Sequence, residues 1–370
     1  MTRKILAMGA APGLISLAGG MPAPESFPVA QIKEAAGKVL TDTPAAALQY
    51  GVSDGYMPLR EWVSQDLEKR GVHYAPDQIL ITNGSQQAIS LAAWVFLEDG
   101  AKLAVETPTY LAAISTFRPT GCDFVDMPCD CDGPIPEELY KVADARFAYV
   151  IPNFQNPAGL LISAKRRRAI AEAASELGLP IFEDNPYGDL YYDNEPPAPL
   201  AAVDPENTIY GGSFSKVLSP GMRVGYVACP KPVYKYFLNL KSAIDVHTNM
   251  LNQMIVHEVV KDGFLDNHLE SVRSRYKVHR DAMAQALTKY MPKEAAWQTP
   301  SGGMFFWVTF PEGTDCTSLL DEAVKRGVAY VPGEAFYAID PPTNSLRLSF
   351  VTVSVEQIDA GVKMLAELLS

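Results

Sequence analysis

The sequence predicts an α/β protein with a larger part built on a mostly parallel sheet and a smaller α+β part. In about the first two thirds of the 370 residues, short apolar runs alternate with amphipathic stretches. This alternation is typical of a parallel sheet with helices on its faces. After Pro230 the pattern changes to long helical stretches, and roughly the last seventy residues return to mixed strands and helices.

Seven short runs in the larger part have the composition of buried strands, being mostly β-branched or aromatic and bounded by Gly, Pro or Asn. They cover residues 79–82, 102–105, 123–127, 148–151, 180–183, 208–211 and 224–228. Between two of them, residues 163–177 predict a helix, because Ser163 can cap its free amides and Gly178 can end it.

Two long helices are predicted after the sheet, over residues 233–261 and 264–289, separated by Asp262-Gly263. Three further strands (304–308, 329–332 and 346–349) precede a last helix, which begins with the capping box Ser354-Val355-Glu356-Gln357. We expect a large domain over residues 42–262. Residues 1–41 and 263–370 then form a small domain, which the turn-rich segment 19–24 joins across the surface.

Composition and charge exclude several classes of protein. Hydrophobic residues make up 48% and charged residues 20% of the chain, as in ordinary folded proteins. The net charge of −12 disfavours a nucleic-acid partner, and we interpret the basic run 165–168 as the solvated face of a helix. No apolar run approaches the ~20 residues that cross a membrane. Five cysteines without a C-x-x-C pair indicate neither a disulfide framework nor a zinc site, so we expect a cytoplasmic protein without a metal.

Two common nucleotide-binding motifs are absent. No G-x-G occurs, and Gly37-Lys38 is followed by Val39, so both the Rossmann and the Walker phosphate loops are missing. Ser213-Phe214-Ser215-Lys216 matches the S-x-x-K motif of penicillin-recognising enzymes, but the companion motifs of those enzymes do not occur.

Two polar clusters follow neighbouring strands of the predicted sheet. Asp184 closes one strand at the edge where open α/β sheets bind ligands, although alone it could be a helix cap. After the next strand come Ser213, Ser215 and Lys216, with Arg223 shortly beyond. Hydroxyls and a guanidinium bind a phosphate dianion. A lysine in a cation-rich apolar site becomes a nucleophile, although a solvent-exposed turn lysine is the common alternative. One ligand offers a phosphate for the hydroxyls and Arg223, an aldehyde for Lys216 and a ring nitrogen for Asp184. That ligand is pyridoxal 5'-phosphate.

With these clusters, the chain resembles the fold-type I aminotransferases of class I/II. It is most similar to the 2-aminoadipate and kynurenine aminotransferase group, whose fold also forms the C-terminal domain of MocR-type regulators. The resemblance runs from Ile15-Ser16-Leu17-Ala18-Gly19-Gly20-Met21-Pro22 to the strand around Arg347. It implies a three-layer α/β/α fold and pyridoxal 5'-phosphate as cofactor.

The resemblance also implies the cofactor contacts. Asn83-Gly84-Ser85-Gln86-Gln87 matches the family's phosphate loop, in which amides at a helix N-terminus meet the anion, with Gly84, Ser85 and Gln86 as contacts. Tyr110 matches the aromatic residue that stacks on the cofactor ring. Asn156 and Tyr187 match the partners of the cofactor's phenolic oxygen. The family's N-P-T-G motif has Ala158 in place of threonine.

Substrate contacts and a second subunit follow from the same resemblance. Arg347, on a strand with apolar neighbours, matches the clamp for the substrate α-carboxylate, with Asn156 as a further contact and Gly20 as a backbone contact. Arg3 falls where aminoadipate-using relatives place an arginine for the distal carboxylate. Tyr50 matches a tyrosine that reaches the phosphate of the neighbouring subunit's cofactor, which implies a homodimer with shared active sites.

The implied function is ping-pong transamination. An L-amino acid that is 2-aminoadipate-like, aromatic or branched-chain gives its amino group to a 2-oxo acid, with 2-oxoglutarate as the expected acceptor. Lys216, Asp184 and Tyr187 form the expected catalytic set. Two alternatives stay open: other chemistry on the same cofactor, such as β-elimination, decarboxylation or racemisation, and a non-catalytic amino-acid-sensing module. The acidic charge, and the lack of a basic winged-helix region before Gly19, disfavour the sensing module.

Overall fold

Strands and helices alternate through residues 13–369, the part of the chain that this computed structural model describes. In chain order the strands are β1 (Ile15–Ser16), β2 (Ile79–Thr82), β3 (Lys102–Glu106), β4 (Asp123–Met127), β5 (Cys129–Asp130), β6 (Gly133–Pro134), β7 (Ala148–Val150), β8 (Ile181–Asn185), β9 (Thr208–Ser213), β10 (Gly225–Ala228), β11 (Ala296–Trp297), β12 (Phe305–Thr309), β13 (Val328–Ala329), β14 (Val331–Pro332) and β15 (Ser345–Ser349). All seven predicted strands of the larger part form, with small differences at their ends.

The α-helices lie between and after these strands. In chain order they are α1 (Val29–Asp42), α2 (Pro44–Leu48), α3 (Met57–Glu68), α4 (Ser85–Phe96), α5 (Leu111–Phe117), α6 (Pro136–Leu139), α7 (Ala164–Leu177), α8 (Leu200–Val203), α9 (Lys231–Asp245), α10 (Met250–Val260), α11 (Phe264–Tyr290), α12 (Leu320–Lys325) and α13 (Val355–Leu369). The predicted caps of α7 form: the Ser163 side chain accepts a hydrogen bond from the Arg166 amide, and Gly178 ends the helix in a left-handed conformation.

A seven-stranded sheet with the order β2-β10-β9-β8-β7-β3-β4 forms the middle layer. All neighbours are parallel except the two pairs made by β10. Alternate strand residues pack on opposite faces: Tyr149 and Phe182 lie in one apolar cluster, and Ala148 and Ile181 in another. Because both faces are covered by helices, the strands read as nearly continuous apolar runs. The three-layer α/β/α architecture is confirmed.

The direction of β10 determines which loops meet at one edge of this sheet. Parallel strands end at a common edge, so the residues after β8 and β9 lie together there. Since β10 runs the opposite way, its first residues lie at that edge too, beside the end of β2. The sheet therefore brings both predicted polar clusters to one place.

A second, four-stranded antiparallel sheet has the order β11-β12-β15-β14. The predicted strand over residues 329–332 is divided, since β13 pairs with β1 and β14 with β15. The parallel pairing of β1 with β13 joins the segment near the N-terminus to this part of the chain, as expected. The domain boundaries at residues 42 and 263 stay a prediction.

The prediction of one helix over residues 233–261 is wrong, because this part of the chain forms two separate helices, α9 and α10. Val246 has φ 64° and ψ −60°, and the His247 amide donates to the Asp245 carbonyl at 2.7 Å. These values describe a γ-turn with positive φ, a rare and strained conformation for a β-branched residue. The turn ends α9 and redirects the chain.

The interpretation of residues 165–168 as a solvated face is also wrong in part. Lys165 and Arg168 are exposed, but Arg167 is buried with 1% of its surface accessible. Its guanidinium donates to the carbonyls of Ile162, Pro152 and Pro197 and to the Asn153 side chain. A charged group surrounded by acceptors can be buried, which a charge pattern alone does not reveal.

Three further observations concern the described residues alone. None of their helices is both long and apolar enough to cross a membrane. No group of three or more His, Cys, Asp or Glu side chains among them is arranged to hold a metal ion. All five cysteines are free thiols.

Candidate active site

A cavity of about 410 Å³ opens at the edge of the sheet where β8 and β9 end and β10 begins. Its lining contains most of the predicted site residues together with several apolar ones. The lining residues are Gly20, Met21, Ser85, Gln86, Tyr110, Leu111, Ala112, Ile151, Asn156, Asp184, Pro186, Tyr187, Ser213, Ser215, Lys216, Pro220, Arg223 and Arg347. The sequence reasoning did not identify Met21, Leu111, Ala112, Ile151, Pro186 or Pro220, which carry no chemical signal beyond being small or apolar.

Lys216 lies just after β9 and extends into this cavity. Its Nζ donates a hydrogen bond to the Gly20 carbonyl at 2.7 Å. Burial lowers the pKa of Lys216 to about 8, and the positive charges of Arg347 and Arg223 act in the same direction. The amine is therefore far easier to deprotonate than an ordinary lysine.

Asp184 lies near the end of β8, with 2% of its surface exposed. Its Oδ2 accepts a hydrogen bond from the Tyr149 hydroxyl at 2.5 Å, whereas its buried Oδ1 has no partner among the described residues. Burial raises the pKa of Asp184 to about 7, although the Tyr149 hydrogen bond opposes that rise. A buried carboxylate oxygen without a donor indicates a missing partner that carries a proton.

Tyr149 is a site residue that the sequence reasoning missed. It lies on β7 directly opposite Phe182 of β8, so its ring is on the same sheet face as Asp184, two residues further along β8. Only the register of the two strands, which no local motif fixes, brings the hydroxyl and the carboxylate together. Tyr149 is fully buried, and its ring stacks on Phe182.

Residues 83–87, which comprise the two residues after β2 and the first turn of α4, form another end of the cavity, and we call them the phosphate loop. Gly84 has φ 77°, and a Cβ there would lie 2.6 Å from Arg223 Nη2. That guanidinium nitrogen donates to the Asn83 carbonyl at 2.9 Å, although Arg223 remains exposed. Ser85 begins α4, so the free amides of the helix N-terminus lie beside the arginine and can bind an anion.

Arg347 lies on β15, and its guanidinium is buried at the opposite side of the cavity from the phosphate loop's arginine. Nη1 donates to Asn156 Oδ1 at 2.7 Å and Nη2 to the Ala18 carbonyl at 2.8 Å. The Phe305 ring lies 4.1 Å from the guanidinium carbon, and Nε has no partner in the described part of the chain. Burial lowers the pKa of Arg347 to about 10, so the group stays charged at neutral pH.

Two tyrosines and an asparagine lie between these charged groups. The Tyr187 hydroxyl accepts a hydrogen bond from Asn156 Nδ2 at 3.3 Å, and both residues are buried. Tyr110 precedes α5 and lines the cavity, and burial raises the pKa of its hydroxyl to about 12. Burial also raises the pKa of the Tyr187 hydroxyl. Both hydroxyls therefore stay protonated at neutral pH and can donate a hydrogen bond.

Two described residues of the predicted site, Tyr50 and Gly84, are absent from the lining of this cavity. Tyr50 is 81% exposed and packs edge-on against His247, with ring centroids 5.9 Å apart. Arg3 lies outside the described residues. Gly84 shapes the phosphate loop from within and does not line the cavity itself.

Comparisons with known proteins give one consistent result. Residues 13–365 match the family described as "Aminotransferase class I and II". An aromatic-amino-acid aminotransferase of Thermococcus litoralis is 42% identical over 99% of this chain and 90% of its own length. A crystal structure of Pyrococcus horikoshii kynurenine aminotransferase, in complex with PMP, is similar with a TM-score of 0.95 and 39% identity, over 100% of this chain and 93% of that one.

A third similar structure bears on the cofactor. It is the α-aminoadipate aminotransferase LysN of Thermus thermophilus, complexed with N-(5'-phosphopyridoxyl)-L-leucine. Its TM-score is 0.91 and its identity 39%, over 99% of this chain and 96% of that one. The cavity described above fits such a group: the helix N-terminus and Arg223 suit a phosphate, Lys216 an aldehyde, and the unpartnered Asp184 Oδ1 a protonated ring nitrogen.

Proposed function

The chain belongs to the class I and II aminotransferase family, and we propose that it transfers the amino group of an aromatic amino acid to 2-oxoglutarate. Its relatives establish the general reaction: the chain is a transaminase that moves amino groups with pyridoxal 5'-phosphate as cofactor. The donor, the acceptor and the role of each residue belong to the proposal.

The choice of donor is based on the charged side chains in the cavity lining. The described lining contains three cationic side chains, those of Lys216, Arg223 and Arg347. Each has a proposed partner: the cofactor's aldehyde, its phosphate and the substrate α-carboxylate, respectively. The rest of the described lining offers no cation for a second substrate carboxylate, whereas Met21 and Leu111 offer apolar surface. An aromatic donor therefore needs no further cation, whereas the proposed acceptor 2-oxoglutarate needs one from outside the described lining for its distal carboxylate.

We assign the cofactor contacts from the geometry of the site. The phosphate loop, through Ser85 and Gln86, would hold the phosphate together with Ser213, Ser215 and Arg223. Asp184 Oδ1 would bind the ring nitrogen, Tyr110 would stack on the ring, and Asn156 and Tyr187 would bind the phenolic oxygen. When bound, the cofactor supplies an electron-withdrawing ring that stabilises negative charge at the substrate α-carbon.

The chain's own groups then orient the substrate and move a proton. Arg347 binds the α-carboxylate through a guanidinium that Asn156 and the Ala18 carbonyl already hold in place. Lys216 Nζ, whose pKa is lowered to about 8, accepts and returns a proton near neutral pH as a general base and acid. Gly20, whose carbonyl contacts Nζ, lies beside the same space and would contact the substrate through its own backbone.

A donor of the 2-aminoadipate type is the second candidate, because a similar structure is that of an α-aminoadipate aminotransferase. Such a donor, like 2-oxoglutarate itself, has a distal carboxylate that needs a further positive partner. Arg3, outside the described residues, is the candidate for that role.

We also propose that the enzyme is a homodimer. An exposed apolar surface, which we call the dimer face, contains Leu48, Tyr50, Val52 and Ile244, each more than half exposed. Tyr50 packs against His247, close in the chain to Ile244, and exposed apolar side chains grouped in this way mark an interaction site. In this proposal Tyr50 reaches the phosphate of the neighbouring subunit's cofactor.

The visible absorbance of the purified protein, recorded before and after single amino donors are added without an acceptor, tests this function. We expect absorbance from lysine-bound cofactor, its loss with phenylalanine or kynurenine, and no such absorbance in Lys216→Ala. Loss with 2-aminoadipate alone would favour the second donor class. If donors release oxo acid but added 2-oxoglutarate does not permit turnover, the proposed acceptor is wrong.

A further inference from the structure

The phosphate loop is also held by an ion pair that no motif identifies, between a buried lysine and a partly exposed aspartate. Lys241, near the end of α9, has a side chain with 0% exposure, and its Nζ lies 3.0 Å from both carboxylate oxygens of Asp245. The same Nζ donates to Gln87 Oε1 at 3.0 Å. Lys241 therefore contacts both the end of α9 and the last residue of the phosphate loop.

Asp245 contacts the loop at two further points. Its Oδ2 accepts hydrogen bonds from Asn83 Nδ2 at 2.5 Å and from Gln87 Nε2 at 2.7 Å. Gln87 Oε1 in turn accepts from the Asn83 amide at 2.8 Å. The first and last residues of the phosphate loop are thus tied to one carboxylate and to each other.

Arg223 and β10 also restrict the position of the phosphate loop. Arg223 Nη2 donates to the Asn83 carbonyl, and β10 passes so close that a Cβ on Gly225 would lie 2.7 Å from Ser85 N. The loop therefore contacts both β10 and the Lys241–Asp245 pair, while Ser85 and Gln86 line the cavity.

The backbone beside Asp245 is strained where this contact is made. Val246 adopts the positive-φ γ-turn described above, a strained conformation that persists only where the surroundings impose it. Burial of the Lys241 ammonium also costs solvation free energy, which offsets much of its attraction to the partly exposed Asp245 carboxylate. Strain and burial together indicate that the arrangement serves the position of the loop and not the stability of the helix.

We infer that Lys241 and Asp245 are positioning residues that hold the phosphate loop ready for the cofactor's phosphate. This inference rests on the proposed role of the loop. Asp245 fixes Asn83 and Gln87 at the two ends of the loop, and Lys241 holds Asp245 and Gln87 together. Neither side chain lines the cavity, so both act through the loop.

The test compares two forms of the cofactor in full-length protein. Each holoprotein is dialysed free of cofactor and titrated with pyridoxal 5'-phosphate and, separately, with pyridoxal, which lacks the phosphate. In Asp245→Asn and Lys241→Met we expect the dissociation constant for pyridoxal 5'-phosphate to rise about tenfold, while that for pyridoxal stays within about twofold. The matched control is Asp77→Asn, which breaks an exposed lysine–aspartate pair with Lys231 at the other end of α9 and should change neither constant.

The possible outcomes separate this inference from the proposed function. If both variants keep the wild-type preference for the phosphorylated cofactor, the inference is wrong and the function stands. If both variants lose affinity for the two ligands equally, the pair has a general structural role and the inference is also wrong. If Asp245→Asn does not fold, Lys241→Met alone decides. A wild-type protein that binds neither ligand would overturn the proposed function and this inference with it.

Discussion

At the scale of single residues, the protonation of Asp184 depends on Tyr149. The hydroxyl of Tyr149 donates to one carboxylate oxygen and leaves the other oxygen free toward the cavity. A carboxylate that accepts a hydrogen bond in a buried site is held in one orientation and keeps its charge more readily than one without a donor. Tyr149 does not line the cavity, so we expect it to act on the cofactor through Asp184.

We expect Tyr149→Phe to lower kcat by about tenfold or more, because a hydrogen bond to a charged group contributes roughly 1.5–3 kcal/mol. The phenylalanine ring keeps the packing against Phe182. Steady-state kinetics should be repeated with a cofactor analogue in which carbon replaces the ring nitrogen, where the difference from wild type should disappear.

The control for this variant is Tyr330→Phe. Tyr330 is equally buried, and its hydroxyl donates to the Cys316 carbonyl at 2.6 Å, in the smaller part of the chain. The Tyr330→Phe variant should lose a similar hydrogen bond with no change in kcat. If Tyr149→Phe lowers kcat as much with the carbon analogue as with pyridoxal 5'-phosphate, a role through Asp184 is contradicted.

Residue chemistry at strand ends was sufficient to predict Lys216, Asp184 and Arg223 as neighbours in one site. That prediction required only the edge of the sheet at which each strand ends. Tyr149 could not be found in the same way, because its contact depends on the register of β7 against β8. The role of each of these residues stays a prediction until the variants are measured.

At the scale of elements, the sequence predicted where helices begin and end when the signal is local. The caps of α7 formed because Ser163 and Gly178 act on the nearest turn of helix. The division between α9 and α10 was missed, because residues 244–249 contain neither Gly nor Pro. The turn at Val246 is imposed by contacts of Asp245 and Lys241 with a loop more than 150 residues earlier in the chain.

The approach of β10 to the phosphate loop yields a prediction for Gly225. A methyl group there would lie 2.7 Å from Gly84 C and Ser85 N, which are backbone atoms that can move only with the loop. We expect Gly225→Ala to weaken binding of pyridoxal 5'-phosphate by about tenfold, since overpacking costs roughly 1–3 kcal/mol. Equilibrium titration measures this change.

Gly221→Ala is the matched control, because a methyl group at Gly221 would meet only Ser219 Oγ at 3.7 Å. It should leave the affinity unchanged. Equal affinities for the Gly225→Ala variant and the wild-type protein would show that the loop is not held by β10.

At the scale of the whole molecule, three buried carboxyl groups make stability depend on pH. Burial raises the pKa of Glu106 to about 8 and those of Glu183 and Asp184 to about 7. Between the ordinary pKa near 4 and these values, the folded protein binds more protons than the unfolded chain. The cofactor-free protein should therefore lose stability as pH rises from about 4 to about 8.

The thermal unfolding midpoint, measured across this pH range, checks the sign of the effect. Glu106→Gln should flatten the dependence, since the amide oxygen can still accept from the Ile151 amide and the Gln155 side chain. A midpoint that rises between pH 5 and pH 8 would contradict the burial of neutral carboxyl groups.

The shared active sites of the proposed homodimer can be tested with hybrid dimers. Lys216→Ala and Tyr50→Ala should each give a poorly active homodimer. A dimer with one subunit of each kind contains one intact site, because the unchanged Lys216 and the unchanged Tyr50 then meet. We expect about half the wild-type activity, as one site in two is complete.

The control is a hybrid of Lys216→Ala with Asp184→Asn, two residues that the same subunit contributes to each proposed site. No hybrid of these two contains an intact site, so its activity should stay low. Failure of the first hybrid to recover activity would show that Tyr50 does not complete the partner's site.

The pairing of β2 with β10 also has a consequence for how the protein is made. Among the described strands, β2 has no neighbour in its sheet except β10, which follows roughly 140 residues later. At about 5–20 residues per second, a ribosome needs roughly 7–30 seconds to bridge that interval. Until then the loop after β2 lacks the strand that supports it, and Arg347 is synthesised later still. The order of synthesis therefore completes the phosphate end of the site first and the carboxylate end last.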